Sequence, residues 1–309
     1  MNGVMTERFV LPAIIHHPDL SIPLPEHHRF PMGKFTALMQ VLGEQGLIGH
    51  DNLFQAQEAP VDWLKLAHET KYVDGMISGQ QDRSVMRRIG LPWSPQLVRR
   101  SRLSSGGTVL CARLALARGI ACHTAGGSHH ANAGSGAGYC VFNDVAIAIH
   151  LLLAEGAISR ASVIDLDVHQ GDGTARIFAQ RPEVYTFSMH AENNFPGDKA
   201  TSDLDIGLDD KTGDADYLAQ LERHLEPVLV RSKPDLVFYL AGVDPHEHDL
   251  LGRLSLTARG LARRDEMVIR TVRQMNIPLA CVLGGGYAKD VMALARLHAQ
   301  LHKAAAIHG

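Results

Sequence analysis

Short apolar runs that end in acids or histidines set the strongest constraint on this chain. Ser162-Val163-Ile164 leads into Asp165-Leu166-Asp167-Val168-His169, and Asp235 to Ala241 leads through Gly242-Val243 to Asp244. Gly119 to Cys122 leads through Ala125-Gly126-Gly127 to the tandem pair His129-His130. Pro278 to Leu283 leads into Gly284-Gly285-Gly286-Tyr287, and Val184 to Phe187 ends in Ser188-Met189-His190. Such runs alternating with helical stretches predict an α/β fold on a parallel sheet. In open parallel sheets ligands bind beyond the carboxyl ends of the strands. Five separate segments are therefore expected to deliver polar groups to one place.

The chain has 309 residues, 45% of them hydrophobic and 20% charged, which is a soluble globular composition. No charge run, repeat or low-complexity break divides it, so one domain over residues 1–309 is expected. A formal net charge of -3 gives no general attraction to nucleic acid or an anionic membrane, and neither is expected as a partner. Arg87, Arg88, Arg99, Arg100 and Arg102 cluster locally and read as a solvated helix face or loop. The four cysteines form no C-x-x-C pair and read as core residues of a protein in a reducing, cytoplasmic compartment. No signal peptide is expected, and no apolar run approaches the ~20 residues of a membrane helix.

Phe9 to Ile15 reads as a first strand. The prolines from Pro18 to Pro31 then enforce a long loop. Helices are expected over Lys34–Gly43, Gly106–Arg118, Asp144–Glu155, Asp214–Val230 and Thr257–Met275, with Ser94 capping a helix start at Pro95. Gly134-Ser135-Gly136-Ala137-Gly138 reads as a tight loop.

Strand alternation would put Asp165, Asp167 and His169 on one face. Two carboxylates that close repel unless a cation or hydrogen bonds offset them. A divalent ion on Asp167, His169 and Asp244 resolves that repulsion, with oxygen and nitrogen donors suited to zinc or ferrous iron. The plainer reading, a capping aspartate beside a packed histidine, weakens once Asp244 follows a second strand. His129 and His130 are acid–base candidates near neutral pH, with Asp165 and Asp172 available to orient them. Tyr287, after three glycines, is a candidate hydrogen-bond donor to a developing oxyanion. Most of the 18 histidines must be incidental.

Gly126-Gly127-Ser128-His129-His130-Ala131, Gly138 to Asp144, Asp165 to Gly173, Gly242-Val243-Asp244 and Gly284 to Tyr287 occur in the order seen in zinc-dependent histone deacetylases. His17-Pro18-Asp19 through Pro31 resembles that family's N-terminal loop, and the short length and Gln170 resemble its class IV-like and bacterial branch. The resemblance implies an arginase–deacetylase fold with a central eight-stranded parallel sheet. It implies that Asp167, His169 and Asp244 hold zinc (or ferrous iron), that His129, His130, Asp165, Asp172 and Tyr287 are catalytic, and that Asp165, Asp167, His169, Ser188 and Met189 hold a structural potassium or sodium ion. It further implies that Gly138, Tyr139 and Phe195 line an acyl-lysine tunnel. The expected substrate is an acylated lysine side chain or a related small N-acyl amine, with self-association permitted. An acetylpolyamine amidohydrolase uses the same chemistry. Arginase-like ureohydrolysis would need a second metal, and a non-catalytic acyl-lysine binder would have no use for the full residue set. Two departures stand out. No aspartate in Leu91 to Arg102 matches the rim residue that class I members use to hold a peptide, and Glu247 is the nearest acid to a polyamine gate.

Overall fold

The computed structural model describes residues 11–309. Eight strands form one sheet: β1 (Ala13–His16), β2 (Leu53–Gln55), β3 (Ile120–His123), β4 (Ala161–Asp165), β5 (Val184–Ala191), β6 (Leu204–Leu208), β7 (Leu236–Leu240) and β8 (Leu279–Val282). Their order is β2-β1-β3-β8-β7-β4-β5-β6, and every pairing is parallel. The helices are α1 (Lys34–Glu44), α2 (Val61–Leu64), α3 (Thr70–Ser78), α4 (Arg83–Ile89), α5 (Pro95–Arg118), α6 (Asp144–Ala154), α7 (Asp172–Phe178), α8 (Asp214–Ser232), α9 (Ala258–Gln274) and α10 (Val291–His308).

Parallel sheets are covered on both faces, so their central strands read as unbroken apolar runs. Accordingly β3, β4, β7 and β8 are buried along their whole length. Helix α5 packs along β1, β3 and β8, and α10 packs between α1 and α9. Side-chain caps fix where the helices start. Ser94 Oγ accepts from Leu97 N at 3.0 Å, Asn143 Oδ1 from Ala146 N at 3.0 Å and Thr257 Oγ1 from Gly260 N at 3.0 Å.

Four expectations need correction. The first strand is Ala13–His16, and Phe9 and Val10 lie outside the described residues. The helix expected from Gly106 already begins at Pro95, because Ser94 caps it there. Arg100 therefore lies on α5 and is buried, whereas Arg99 and Arg102 reach Glu58 at 2.9 and 2.8 Å. Strand β4 ends at Asp165, so strand alternation does not place Asp167 and His169. Finally, Ser188, Met189 and His190 lie inside β5 rather than beyond it, because pairing with β6 continues to Ala191.

The consequence for the site is direct. β3, β8, β7 and β4 are neighbours in the sheet, and the loops after them carry His129-His130, Tyr287, Asp244 and Asp167-His169 respectively.

Candidate active site

Asp167, His169 and Asp244 come together with one potential ligand atom each, all within 4.8 Å of one another and buried. His169 Nδ1 is 3.0 Å from Asp167 Oδ1 and 3.2 Å from Asp244 Oδ2. Tetrahedral ligands at about 2.0 Å from zinc stand roughly 3.3 Å apart, so this spacing fits such an ion. Asp244 Oδ2 is buried and has no hydrogen bond of acceptable geometry despite the nearby imidazole. The other carboxylate oxygens hold the loops in register. Gly285 N donates to Asp167 Oδ2 at 2.6 Å, His169 N to Asp167 Oδ1 at 3.0 Å and Val168 N to Asp244 Oδ1 at 2.9 Å. This close approach requires glycine: a Cβ on Gly285 would run into Asp244 Oδ2, and one on Gly242 into Asp167 Oδ2. The donor set, the spacing and the orphaned oxygen together fit a divalent cation.

Electrostatics agree with that reading. Burial, then the charge of Asp167, pushes Asp244 up to about 6. Burial pulls His169 down, but the hydrogen bond to Asp167 and the close charges of Asp244 and Asp167 outweigh it and carry the imidazole up to about 10. Negative charge is therefore in excess here among the side chains.

The tandem histidines have separate carboxylate partners. His129 Nδ1 is 2.7 Å from Asp165 Oδ2, and His130 Nδ1 is 2.7 Å from Asp172 Oδ1. With each Nδ1–H donating to its carboxylate, each Nε2 is left for other work. Their surroundings differ. Burial opposes charge on both rings, but Asp165 and Asp167 outweigh it at His129, which rises to about 9. At His130 the neighbouring His129 adds to the burial penalty, and its value falls to about 4.

Tyr287 is buried, and its ring meets Phe30, Tyr139 and His169 at centroid distances of 6.2, 5.8 and 6.3 Å. Burial, then the charges of Asp244 and Asp167, holds its phenol protonated well above the usual range. Phe195 is 46% exposed, with its ring 4.8 Å from His130. The Gly138 carbonyl accepts from Cys140 Sγ at 3.5 Å. Ser188 is the register partner of Asp165 across β4 and β5, and Met189 follows it, buried. A cavity of about 40 Å³ is lined by His129, His130, Gly138, Tyr139, Asp167 and Tyr287. Glu247 is exposed and does not line it.

Sequence reasoning missed four supports. Asp249 accepts from Tyr287 N at 2.6 Å and from Leu251 N at 2.8 Å, tying the tyrosine to the loop after β7. Asp144 accepts from Gly127 N at 3.0 Å and Ser128 N at 2.7 Å, which sets the turn before the histidines. Its position at a helix start just after Phe142-Asn143 was the one available signal. Lys34 and Arg264, both buried, had none: Lys34 reaches a loop 250 positions away, and Arg264 reaches loops 98 and 22 positions away.

The carboxylate–imidazole cluster lies at the carboxyl edge of an eight-stranded parallel sheet in an α/β fold. A histone deacetylase domain model matches residues 28–303, and the chain belongs to the histone deacetylase family. It is 50% identical over 292 residues to an uncharacterized protein of Picosynechococcus sp., covering 94% of this chain and 97% of that one. It is 31% identical over 272 residues to Histone deacetylase 2 of Arabidopsis thaliana, covering 85% and 70% of the two chains. Identity to the acetoin utilization protein AcuC of Staphylococcus aureus is 30% over 260 residues, 76% of this chain and 66% of that one. The crystal structure of the HDA15 HD domain covers 95% of this chain and 90% of its own with a TM-score of 0.79; at 20% identity that likeness is one of fold.

Proposed function

We propose that this protein is a metal-dependent deacylase that hydrolyses the amide of an N-acyl-lysine or a related N-acyl amine, with residues 1–309 as one catalytic domain. The observation that carries this reading is a buried carboxylate–imidazole cluster whose Asp167 lines one cavity together with two carboxylate-backed histidines and a buried phenol. Asp167, His169 and Asp244 would hold zinc or ferrous iron, which when bound polarises the acyl carbonyl and acidifies the attacking water. His130 Nε2 takes the proton of that water and passes it to the departing amine, with Asp172 fixing the tautomer. His129, held by Asp165, supplies positive charge beside it. The Tyr287 hydroxyl donates to the oxyanion as the carbonyl becomes tetrahedral. Tyr139 and Phe195 flank the acyl-lysine stem, with Gly138 beside them. Asp165, Asp167, His169, Ser188 and Met189 would hold a potassium or sodium ion that stiffens the β4–β5 end.

Among the described residues no helix is long and apolar enough to cross a membrane. All four cysteines are buried and free, which supports a reducing, cytoplasmic setting. Acetylpolyamine hydrolysis would use the same chemistry. However, among the described residues no carboxylate other than Asp167 lines either the cavity or the groove beside Tyr287. A parallel assay of acyl-lysine peptides and acetylated polyamines, on protein stripped and reloaded with zinc or iron, tests the proposal. Peptide hydrolysis that disappears with chelation and returns with metal is expected. Absence of turnover on every acyl amine in metal-loaded protein would overturn it.

A further inference from the structure

Phe195 follows β5 and Tyr287 follows β8, and β7 and β4 lie between those two strands in the sheet. The loop after β7, residues 245–253, touches both. It leaves Asp244 and folds straight back on it: a Cβ at Gly252 would strike the Asp244 carbonyl. On one side it engages both backbone groups of Tyr287. Tyr287 N donates to Asp249 Oδ2 at 2.6 Å, and Leu250 N donates to Tyr287 O at 2.9 Å. Asp249 Oδ1 holds the loop itself, accepting from Leu251 N at 2.8 Å and Gly252 N at 2.9 Å. On the other side the loop meets Asn194, the residue before Phe195. Asn194 Nδ2 donates to Leu251 O at 2.8 Å, and its Oδ1 accepts from Arg253 N at 2.9 Å. Lys199 closes the turn, with Nζ donating to Asn194 O at 2.7 Å and to Pro196 O at 2.6 Å.

Asn194 is buried, whereas the Phe195 ring beside it is exposed. Packing alone does not order a ring so exposed, and ordering it costs side-chain entropy. Its approach to His130 is set by the backbone on either side of it, which Asn194 and Lys199 pin. A misplacement of about 1 Å near reacting atoms can cost about 100-fold in rate, so bonds that fix a loop count in catalysis. We propose that Asn194 and Asp249 are positioning residues that make loop 245–253 a bracket across the active-site entrance, Asp249 setting Tyr287 against the reacting carbonyl and Asn194 setting the Phe195 wall that receives the acyl-lysine stem. This rests on the deacylase reading and specifies what sets its rate and its affinity. The two residues act on different quantities. Tyr287 strengthens its bond only as the carbonyl becomes tetrahedral, so loosening it lowers kcat. Phe195 meets ground state and transition state alike, so loosening it raises KM.

The test uses metal-loaded protein and an acetyl-lysine peptide. Asp249→Asn is isosteric. Its amide oxygen serves the two amides of Leu251 and Gly252, which turns its NH2 against Tyr287 N–H and breaks that bond alone. It should lower kcat about tenfold with KM held, and in Tyr287→Phe protein the same change should cost less than about twofold. Asn194→Ala should raise KM about tenfold with kcat held, and should add nothing in Phe195→Ala protein. Where Asn194→Ala does not fold, Asn194→Asp carries the same cycle, since it keeps the bond from Arg253 N and loses the one to Leu251 O. A general structural role would give equal losses with and without the tyrosine hydroxyl or the Phe195 ring, and that result overturns the proposal. If no acyl peptide turns over in the native protein, the deacylase reading fails. Crystal structures of the variants then decide the bracket: displaced Tyr287 and Phe195 support it, and both unmoved overturn it.

Discussion

Asp265 and Asp244 are both buried carboxylates close to the carboxyl edge of the sheet, and the fold treats them in opposite ways. Asp265 Oδ1 takes Arg264 Nε at 3.0 Å, Arg264 Nη2 at 2.8 Å and the Tyr239 hydroxyl at 2.6 Å. Arg264 then donates through Nη1 to the carbonyls of Leu166 at 3.2 Å and Gly242 at 2.5 Å. Those carbonyls stand one residue before Asp167 and two before Asp244. Asp244 and Asp167 receive backbone amides and one imidazole, but among the described residues no lysine or arginine within pairing distance. Asp265 leaves its Oδ2 without a hydrogen bond, but its charge is offset by its own guanidinium. A pair of carboxylates held rigidly without one is what the proposed cation site needs, and the neighbouring ion pair bonds to both of their loops.

The largest expected effect breaks the open side of the comparison. Asp244→Asn should lose the metal and reduce activity well beyond the roughly 10–100-fold cost of losing a residue that only orients a ligand. It should leave metal-free stability unchanged or higher, because the amide oxygen can still accept from Val168 N while Asp167 loses a repulsive neighbour. Metal analysis and thermal unfolding of the stripped protein read both arms, and a destabilised apo variant would contradict the contrast. Breaking the closed side should do the reverse. Arg264→Met should cost about 3–5 kcal/mol of stability by stranding Asp265, and adding Asp265→Leu should recover most of it in denaturant melts. Tyr287→Phe lies between the two. It should lower kcat by about 10²–10³-fold with metal content intact, since one oxyanion donor is removed and no ligand is touched.

What was legible in the sequence follows from the same contrast. The loops that deliver Asp167, His169, Asp244, His129-His130 and Tyr287 could be read because each follows an apolar run, and a parallel sheet brings such run ends together. β2 and β6 went unnoticed: one is three residues long, both lie at sheet edges, and neither has an apolar run. Arg264, Asp249 and Lys34 were invisible because their meaning lies in contacts 22 to 252 positions away. Arg264 sits in a charged stretch of α9 that looks solvent-facing until the helix is packed. The direction of Asp167 and His169 was misread for a local reason. Alternation holds only inside a strand, and the ladder stops at Asp165.

The smallest expected effect sharpens the comparison with a third kind of buried titratable group, one kept neutral. His68 donates Nδ1–H to Asn132 O at 2.8 Å, and its Nε2 accepts from Asn143 N at 2.9 Å. It thereby pins both ends of the glycine loop that follows the tandem histidines. Both nitrogens are used in the neutral form, so a proton on Nε2 would displace the Asn143 bond. Burial holds the group down at about 4, against an ordinary 6.5. Between those values the unfolded chain binds a proton that the folded one refuses. Stability from this group is therefore fully present above pH 6.5 and is lost as pH falls toward 4, at up to about 1.4 kcal/mol per pH unit. Other buried histidines add to the total slope, so the diagnostic quantity is a difference. Denaturant melts of the native protein and of His68→Gln at pH 7, 6 and 5 should show a shallower acid loss in the variant. Equal slopes would mean that the loop is held in place by something other than a neutral imidazole.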